Sequence, residues 1–570
     1  MVKRLVLALV VMAIGVGCAA GTQGTNRLAE AVTVSPEKGF SEFLDVFVPK
    51  FSRINTEDSL AWWQASITGT DADFQKRLEW DQKLDRLFSN RDDYLKLKAW
   101  RDGGKIKEPV LKRQLEILYL MFLGKQVDIK ILDRMSELSG QVDQIFNTFR
   151  ADIGGKKVGE NEIRDILAGT KNAAEAEAAW KAFHAVGRLV DPKLRELVAL
   201  RNQAARSLGF KNYYVMQLAL QELDEAELVA LFDELDNLTR DVFVSLKGDV
   251  DRFEAARFGT TADKLRPWSY GDLFFQEAPK IYPADLDNLY KGRKIEDIGR
   301  NFYDGLGLNV DDILARSDLY EKSGKSPHAF CADIDRLGDI RTLMNLTPTE
   351  RWMGTMLHEL GHSVYSKYIN RKLPYVLRDS AHIFTTEAVA MFFGRQSKDG
   401  AWIEDNLKLP ASEVAPIADS AAKMLKLEQI MFSRWAQVMM RFERSMYDNP
   451  DQDLSRLWWD LKAKYQLLTP ENGRSEPDYA AKIHIVSVPA YYHNYMLGEL
   501  YASQLYATLR KMNGVKPAEP LHITGKKDIG EFFRTKVFEP GASVDWRTLV
   551  KGSTGEPLSA KAFSEQFLAR

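Results

Sequence analysis

"TPTERWMGTMLHELGHSVYSKYINRKLP", residues 347–374, reads as one helix with both of its ends marked. Thr347 is placed to cap it, Pro348 to take the first helical position and Glu350 to close a capping box. Met353, Met356, Leu357 and Leu360 give an apolar face at helical spacing. Lys367, Arg371 and Lys372 gather near the far end, and Pro374 stops it. Inside this helix His358 and His362 stand four apart on one face, with Glu359 directly after the first. Two imidazoles so spaced can aim at one metal ion, and the glutamate can take a proton from a water beside it. The stretch therefore predicts a hydrolytic zinc site, with His358 and His362 as ligands and Glu359 as the base.

Such a site needs a third protein ligand. Tyr365 and Tyr368 occupy the positions where a glycine and a histidine would extend the motif toward the metzincins. Asp379, His382 and Glu387 come next along the chain. Glu387 is favoured because Thr385 or Thr386 could cap a second helix there, which would present it from a fixed position, whereas Asp379 and His382 fall in a loop.

The rest of the 570-residue chain is consistent with a soluble helical enzyme. Apolar residues make up 45% and charged residues 28%, and the net charge of −2 gives no basic surface for nucleic acid. The two cysteines, Cys18 and Cys331, exclude a disulfide framework. Residues 1–18 read as a signal peptide: Lys3 and Arg4, an apolar run from Leu5 to Gly17, then Cys18. Gly15-Val16-Gly17-Cys18 resembles a bacterial lipobox, with Gly15 where an aliphatic residue is usual. The chain is thus expected to be exported to the bacterial cell envelope or periplasm. There Cys18 is its only membrane anchor and residues 19–34 are a tether. Residues 35–570 are expected to form one unit of amphipathic helices, monomeric. One short hairpin is expected within 328–345, and loops at 258–268 and 513–527.

An ordered set of stretches resembles the peptidyl-dipeptidases related to angiotensin-converting enzyme. It comprises "AWWQASITGT" (61–70), "RNQAARSLGF" (201–210), "YGDLFFQEAPKIYP" (270–283), "HAFCADIDRLGDIRTLMN" (328–345), the zinc motif and "LPYVLRDSAHIFTTEAVAM" (373–391). The resemblance implies a mostly α fold, with two helical lobes around a deep substrate cleft and a short β-hairpin along the active site. It implies one Zn2+ ion held by His358, His362 and Glu387, and short peptides as substrates. His328 and Ala329 match a pair that touches substrate, and His484 matches a second histidine facing it. Gln276, Lys482 and Tyr492 match residues that grip the substrate's terminal carboxylate, and Tyr495 one that steadies the oxyanion. Without the resemblance, Tyr491, Tyr492, Tyr495 and Tyr501 read as an aromatic stripe of the core.

This chain departs from the family at three places. Asn494 stands where relatives have a chloride-binding arginine, so activation by that route is not expected. Met391 stands where an aspartate would orient the zinc histidines, so another group must do so. Cys331 has no partner for a nearby disulfide. "AYYHNYMLGELYASQLYATL" (490–509) resembles the thimet oligopeptidase and oligoendopeptidase family equally well. The expected activity is release of C-terminal dipeptides. The alternatives are an endo-acting oligopeptidase and a catalytically weak, peptide-binding lipoprotein. His382 is read as a residue supporting the site or a subsite, while His184 and His522 receive no role.

Overall fold

The computed structural model describes residues 35–568, apart from 284, 472, 517 and 518. The expected signal peptide, Cys18 and the tether lie outside the described residues. Within them the chain is mostly α, as expected, with two small antiparallel hairpins. No described helix is long and apolar enough to cross a membrane.

Buried apolar side chains gather into one large cluster, one smaller one, and a third of four residues, Trp63, Ala332, Ile334 and Leu343. The smaller belongs to the first helices. Pro36–Thr68 starts at a Ser35 cap with proline in its first turn and ends at a left-handed Gly69. With Asp71–Phe88, Arg91–Gly103 and Pro109–Leu123 it buries Phe40, Phe47, Phe51, Phe88 and Phe122. Tyr375, Val376 and Leu377, from the loop after the motif helix, complete that core. The large cluster takes in the motif helix and the apolar faces of the other long helices.

The expected hairpin forms from Phe330–Asp333 and Ile340–Leu343, with Phe330 opposite Leu343. Its turn is organised by Asp335, whose Oδ1 accepts the N–H groups of Leu337, Gly338 and Asp339 at 2.7–3.1 Å. The hairpin is held on both sides. Phe330 stacks on Trp62 of the first helix with ring centroids 4.2 Å apart. Ser363 of the motif helix reaches Thr342 Oγ1 at 2.9 Å and the Cys331 thiol at 3.3 Å. A second hairpin, Ala151–Ile153 with Lys156–Val158, was not expected. Its Gly154-Gly155 turn is a two-residue hairpin signal, but strands of three residues each are too short to show an alternation.

The motif helix spans Glu350–Tyr368, and its start differs from the expectation. Thr349, not Thr347, is the cap, accepting the Trp352 N–H at 3.3 Å, and Pro348 lies before the helix. Both threonines are competent caps, and the later one wins. The second helix, Ile383–Gly394, does not take Thr385 or Thr386 as its cap residue, though Thr385 Oγ1 closes a capping box by accepting the His382 N–H at 3.3 Å. His382 is the cap, its ring accepting the Phe384 N–H at 3.1 Å.

Candidate active site

The motif helix and Ile383–Gly394 cross closely, and a third helix, His493–Met512, packs on the second. The crossing explains the glycine in HELGH. A Cβ on Gly361 would lie 2.8 Å from the Cα of Ala390. At the other contact, a Cβ on Gly498 would lie 3.1 Å from both the Glu387 Cβ and the Met391 sulfur. Small residues thus bring ligand-bearing backbones together.

The result is a convergent donor set. Glu387 Oε2 lies 3.7 Å from His358 Nε2 and 3.8 Å from His362 Nε2. One ligand atom from each of these residues falls within 4.8 Å of the others. Of the three candidates for a third ligand, only Glu387 joins the histidines. Asp379 instead pairs with Arg336 at 2.7 Å. His382, besides capping the helix, contacts the Gln221 carbonyl through Nε2 at 2.8 Å. Burial lowers His358 to about 4, and burial with the neighbouring His358 lowers His362 well below its usual value, so both rings are neutral at pH 7. Burial also raises Glu387 to about 7, with the nearby Tyr491 hydroxyl acting to lower it. Two neutral imidazoles and a carboxyl facing one point form an N2O donor set that fits zinc.

Glu359 is buried beside this set. Desolvation first, then the Glu387 charge, raises its carboxyl to about 8, while the backbone N–H of Cys331 works the other way. The hairpin strand therefore approaches the acid. A cavity of about 610 Å3 opens on His358, Glu359, His362 and Tyr495 and runs toward Arg336 and Asp379. Another, of about 530 Å3, lies along the N-terminal half of the motif helix between His328, Arg351 and Glu428. Ala329 borders both, directly before the hairpin strand.

Gln276, Lys482 and Tyr492 also come together. Lys482 Nζ donates to Gln276 Oε1 at 2.6 Å and sits 5.6 Å from the centre of the Tyr492 ring. The Tyr492 hydroxyl accepts from Trp435 Nε1 at 2.7 Å, leaving its own proton to donate. Lys482 is only 6% exposed, yet no carboxylate among the described residues pairs with it. Burial brings its ammonium down to about 8. Tyr495 packs 5.2 Å from Tyr492, and burial raises its phenol to about 12. His484 lies 5.2 Å from Tyr492 with Nδ1 unpartnered, and burial, Lys482 and His328 lower it to about 4. His328 is exposed at the mouth of the second cavity.

Three residues not assigned to the site from the sequence also bear on it. Thr386 Oγ1 lies 2.7 Å from His362 Nδ1. Tyr491, read as core, brings its hydroxyl close to the Glu387 carboxyl. Gln221 accepts from Asn494 Nδ2 at 2.8 Å, so an amide pair occupies the place expected to have lost its arginine. Spacing alone carries no signal for such contacts. His184 stacks on Trp180 at 3.7 Å and His522 pairs with Asp405 at 2.9 Å, both away from the site.

Residues 34–247 match the family model described as angiotensin-converting enzyme, and residues 314–568 match that of peptidase family M3. Among curated relatives, the chain is 23% identical over 444 residues to the angiotensin-converting enzyme-like protein Ace3 of Mus musculus, covering 72% of this chain and 59% of that protein. It is 22% identical over 494 residues to angiotensin-converting enzyme of Theromyzon tessulatum, covering 80% and 79%. With angiotensin-converting enzyme of Rattus norvegicus it shares 26% over 442 residues, covering 71% of this chain and 33% of the relative. The matched part thus spans 59% of the mouse protein's length and 33% of the rat enzyme's. These matches bear out the resemblance to the angiotensin-converting enzyme group with M3 features. Both point to a metallopeptidase that acts on peptides.

Proposed function

We propose that this chain is a one-zinc peptidyl-dipeptidase that removes C-terminal dipeptides from short peptides, with His358, His362 and Glu387 as the metal ligands. The observation that carries the reading is Lys482. A lysine buried without an acidic partner is costly, and its setting beside Gln276 and Tyr492 supplies the donors that a terminal carboxylate would satisfy. With Gln276 Oε1 held by Lys482, the amide nitrogen of Gln276 is left to donate. A peptide lying along the strand that begins after Ala329 would place its C-terminus in this clamp and its scissile bond beside Glu359.

Zinc, when bound, polarises the peptide carbonyl and acidifies a water. Glu359, in the same cavity as the ligand set, would take a proton from such a water and return it to the departing nitrogen. Tyr495 keeps its phenolic proton at neutral pH and donates it toward the oxygen on which charge develops. His484 stays neutral beside Tyr492 and Tyr495, and is placed to face the same oxygen or the substrate backbone. Residues 35–570 act as one monomeric unit. The N-terminal segment exports it to the cell envelope, where Cys18 carries the lipid.

A second reading has its own support. The M3 match spans His328, the metal ligands, Glu359, Lys482 and both tyrosines, but not Gln276. That favours endo-acting cleavage. One peptide prepared with a free and with an amidated C-terminus separates the two when products are read by mass spectrometry. Dipeptide release from the free form alone is expected; equal internal cleavage of both forms would replace the clamp with the oligopeptidase reading. Glu359→Gln should lower kcat by ~10²–10⁴-fold while leaving peptide binding intact.

A further inference from the structure

Two side-chain hydroxyls reach the ligand set from residues outside the metal motif. His362 turns Nε2 toward Glu387, and its other ring nitrogen, Nδ1, meets Thr386 Oγ1 at 2.7 Å. The Tyr491 hydroxyl approaches the Glu387 carboxyl itself. An imidazole can offer a lone pair from Nε2 only if Nδ1 carries the proton, and Nδ1 keeps it when an acceptor faces it. Among the described residues no carboxylate hydrogen-bonds Nδ1 of either histidine. Met391, one turn beyond Glu387, lies close against Gly498 and offers only a thioether.

We propose that Thr386 and Tyr491 are positioning residues of the centre. The Thr386 hydroxyl fixes His362 as the Nδ1–H tautomer with Nε2 toward the ion, and the Tyr491 hydroxyl fixes the ligating carboxyl of Glu387. Neutral hydroxyls thereby do the orienting that a carboxylate would do from position 391. A hydroxyl lends the ring less negative charge than a carboxylate, so the ligands are less basic and the metal is held with correspondingly less donation. Thr386 and Glu387 are adjacent, so one turn of Ile383–Gly394 supplies both a ligand and the partner of another. The inference rests on the metallopeptidase reading above.

The test compares wild type with Thr386→Val, Thr386→Ser and Tyr491→Phe. Zinc affinity is measured by competition with a chelator. The tautomer of His362 is read by NMR on metal-free protein labelled with 15N-histidine. Valine keeps the shape of threonine without the hydroxyl and should weaken zinc binding ~10–100-fold, while serine should stay within ~3-fold of wild type. Tyr491→Phe should weaken it ~10-fold. His362 should show Nδ1–H in wild type and the serine variant and lose that signature in the valine variant. Unchanged zinc affinity in both Thr386→Val and Tyr491→Phe would overturn the proposal. So would an Nε2–H tautomer in the wild type, whether or not the valine variant folds. Wild-type protein that takes up no zinc would remove the metallopeptidase reading itself, a result distinct from tight binding that the variants do not alter.

Discussion

Lys482 carries its charge where water cannot stabilise it, bonded to an amide oxygen and packed on aromatic faces, with Asp272 the nearest-acting carboxylate but not in contact. Bringing a substrate carboxylate there restores the missing partner. Lys482→Met should lower kcat/KM on a free C-terminus by ~10–100-fold, the worth of one hydrogen bond to a charged group, and leave an amidated peptide within ~2-fold. The pH dependence has a definite sign. Lys482 is protonated below about 8 and loses its charge as the pH rises through that value. Preference for the free over the amidated peptide, taken as a ratio of kcat/KM values, should therefore fall across pH 8. Titrations common to both substrates cancel in that ratio. At this scale the sequence was informative wherever chemistry follows from near spacing, as in His358, Glu359 and His362. It was silent on Thr386 and Tyr491. Their partners are set by how helices pack, and a tyrosine among tyrosines looks like core.

The helix pair Glu350–Tyr368 and Ile383–Gly394 is the mechanical basis of the candidate centre. Gly361 lies at its tightest point, where a methyl group would press on the Ala390 backbone. Gly361→Ala should cost ~1–3 kcal/mol of stability through that overpacking. It should also spread the ligands, so that a chelator strips zinc at lower concentration; thermal melts with and without chelator read both effects. Both helices were legible from apolar spacing, although the first stops at Tyr368, before the Arg371, Lys372 and Pro374 expected to mark its end. Their starts were less so. Thr347 and Thr349 compete for one cap, and His382 is a rare cap that wins because Gln221 anchors its other nitrogen.

For the whole molecule, mostly helical architecture follows from composition and periodicity, but the division of the core does not. Amphipathic faces say that a helix is buried on one side and leave its partner open, so nothing in residues 36–123 points to Tyr375, Val376 and Leu377 as their closing residues. Stability should also depend on pH through Glu443. This residue is fully buried in the long helix Ala411–Asp448 and accepts the Ala490 N–H at 2.9 Å. Burial raises its carboxyl to about 8. A carboxyl whose folded pKa is raised binds its proton more tightly in the native state, so its contribution is fully present below about 4.5. It is lost as the pH climbs to about 8. Glu443→Gln, which cannot ionise, should gain on wild type between pH 5 and 8 by on the order of a few kcal/mol, measured by denaturant unfolding.

The closing of the N-terminal core by residues 375–377 also sets an order in time. As the chain emerges, its first four helices must wait, their aromatic faces incompletely covered, until the loop between the motif helix and its partner has been made. That same loop joins helices whose link from His362 to Thr386 spans 24 residues, so the metal corner can assemble from local contacts. The link from Gln276 to Lys482 spans 206 and closes later. A nascent or partly refolded chain is therefore expected to acquire its metal ligands before its grip on a peptide's end.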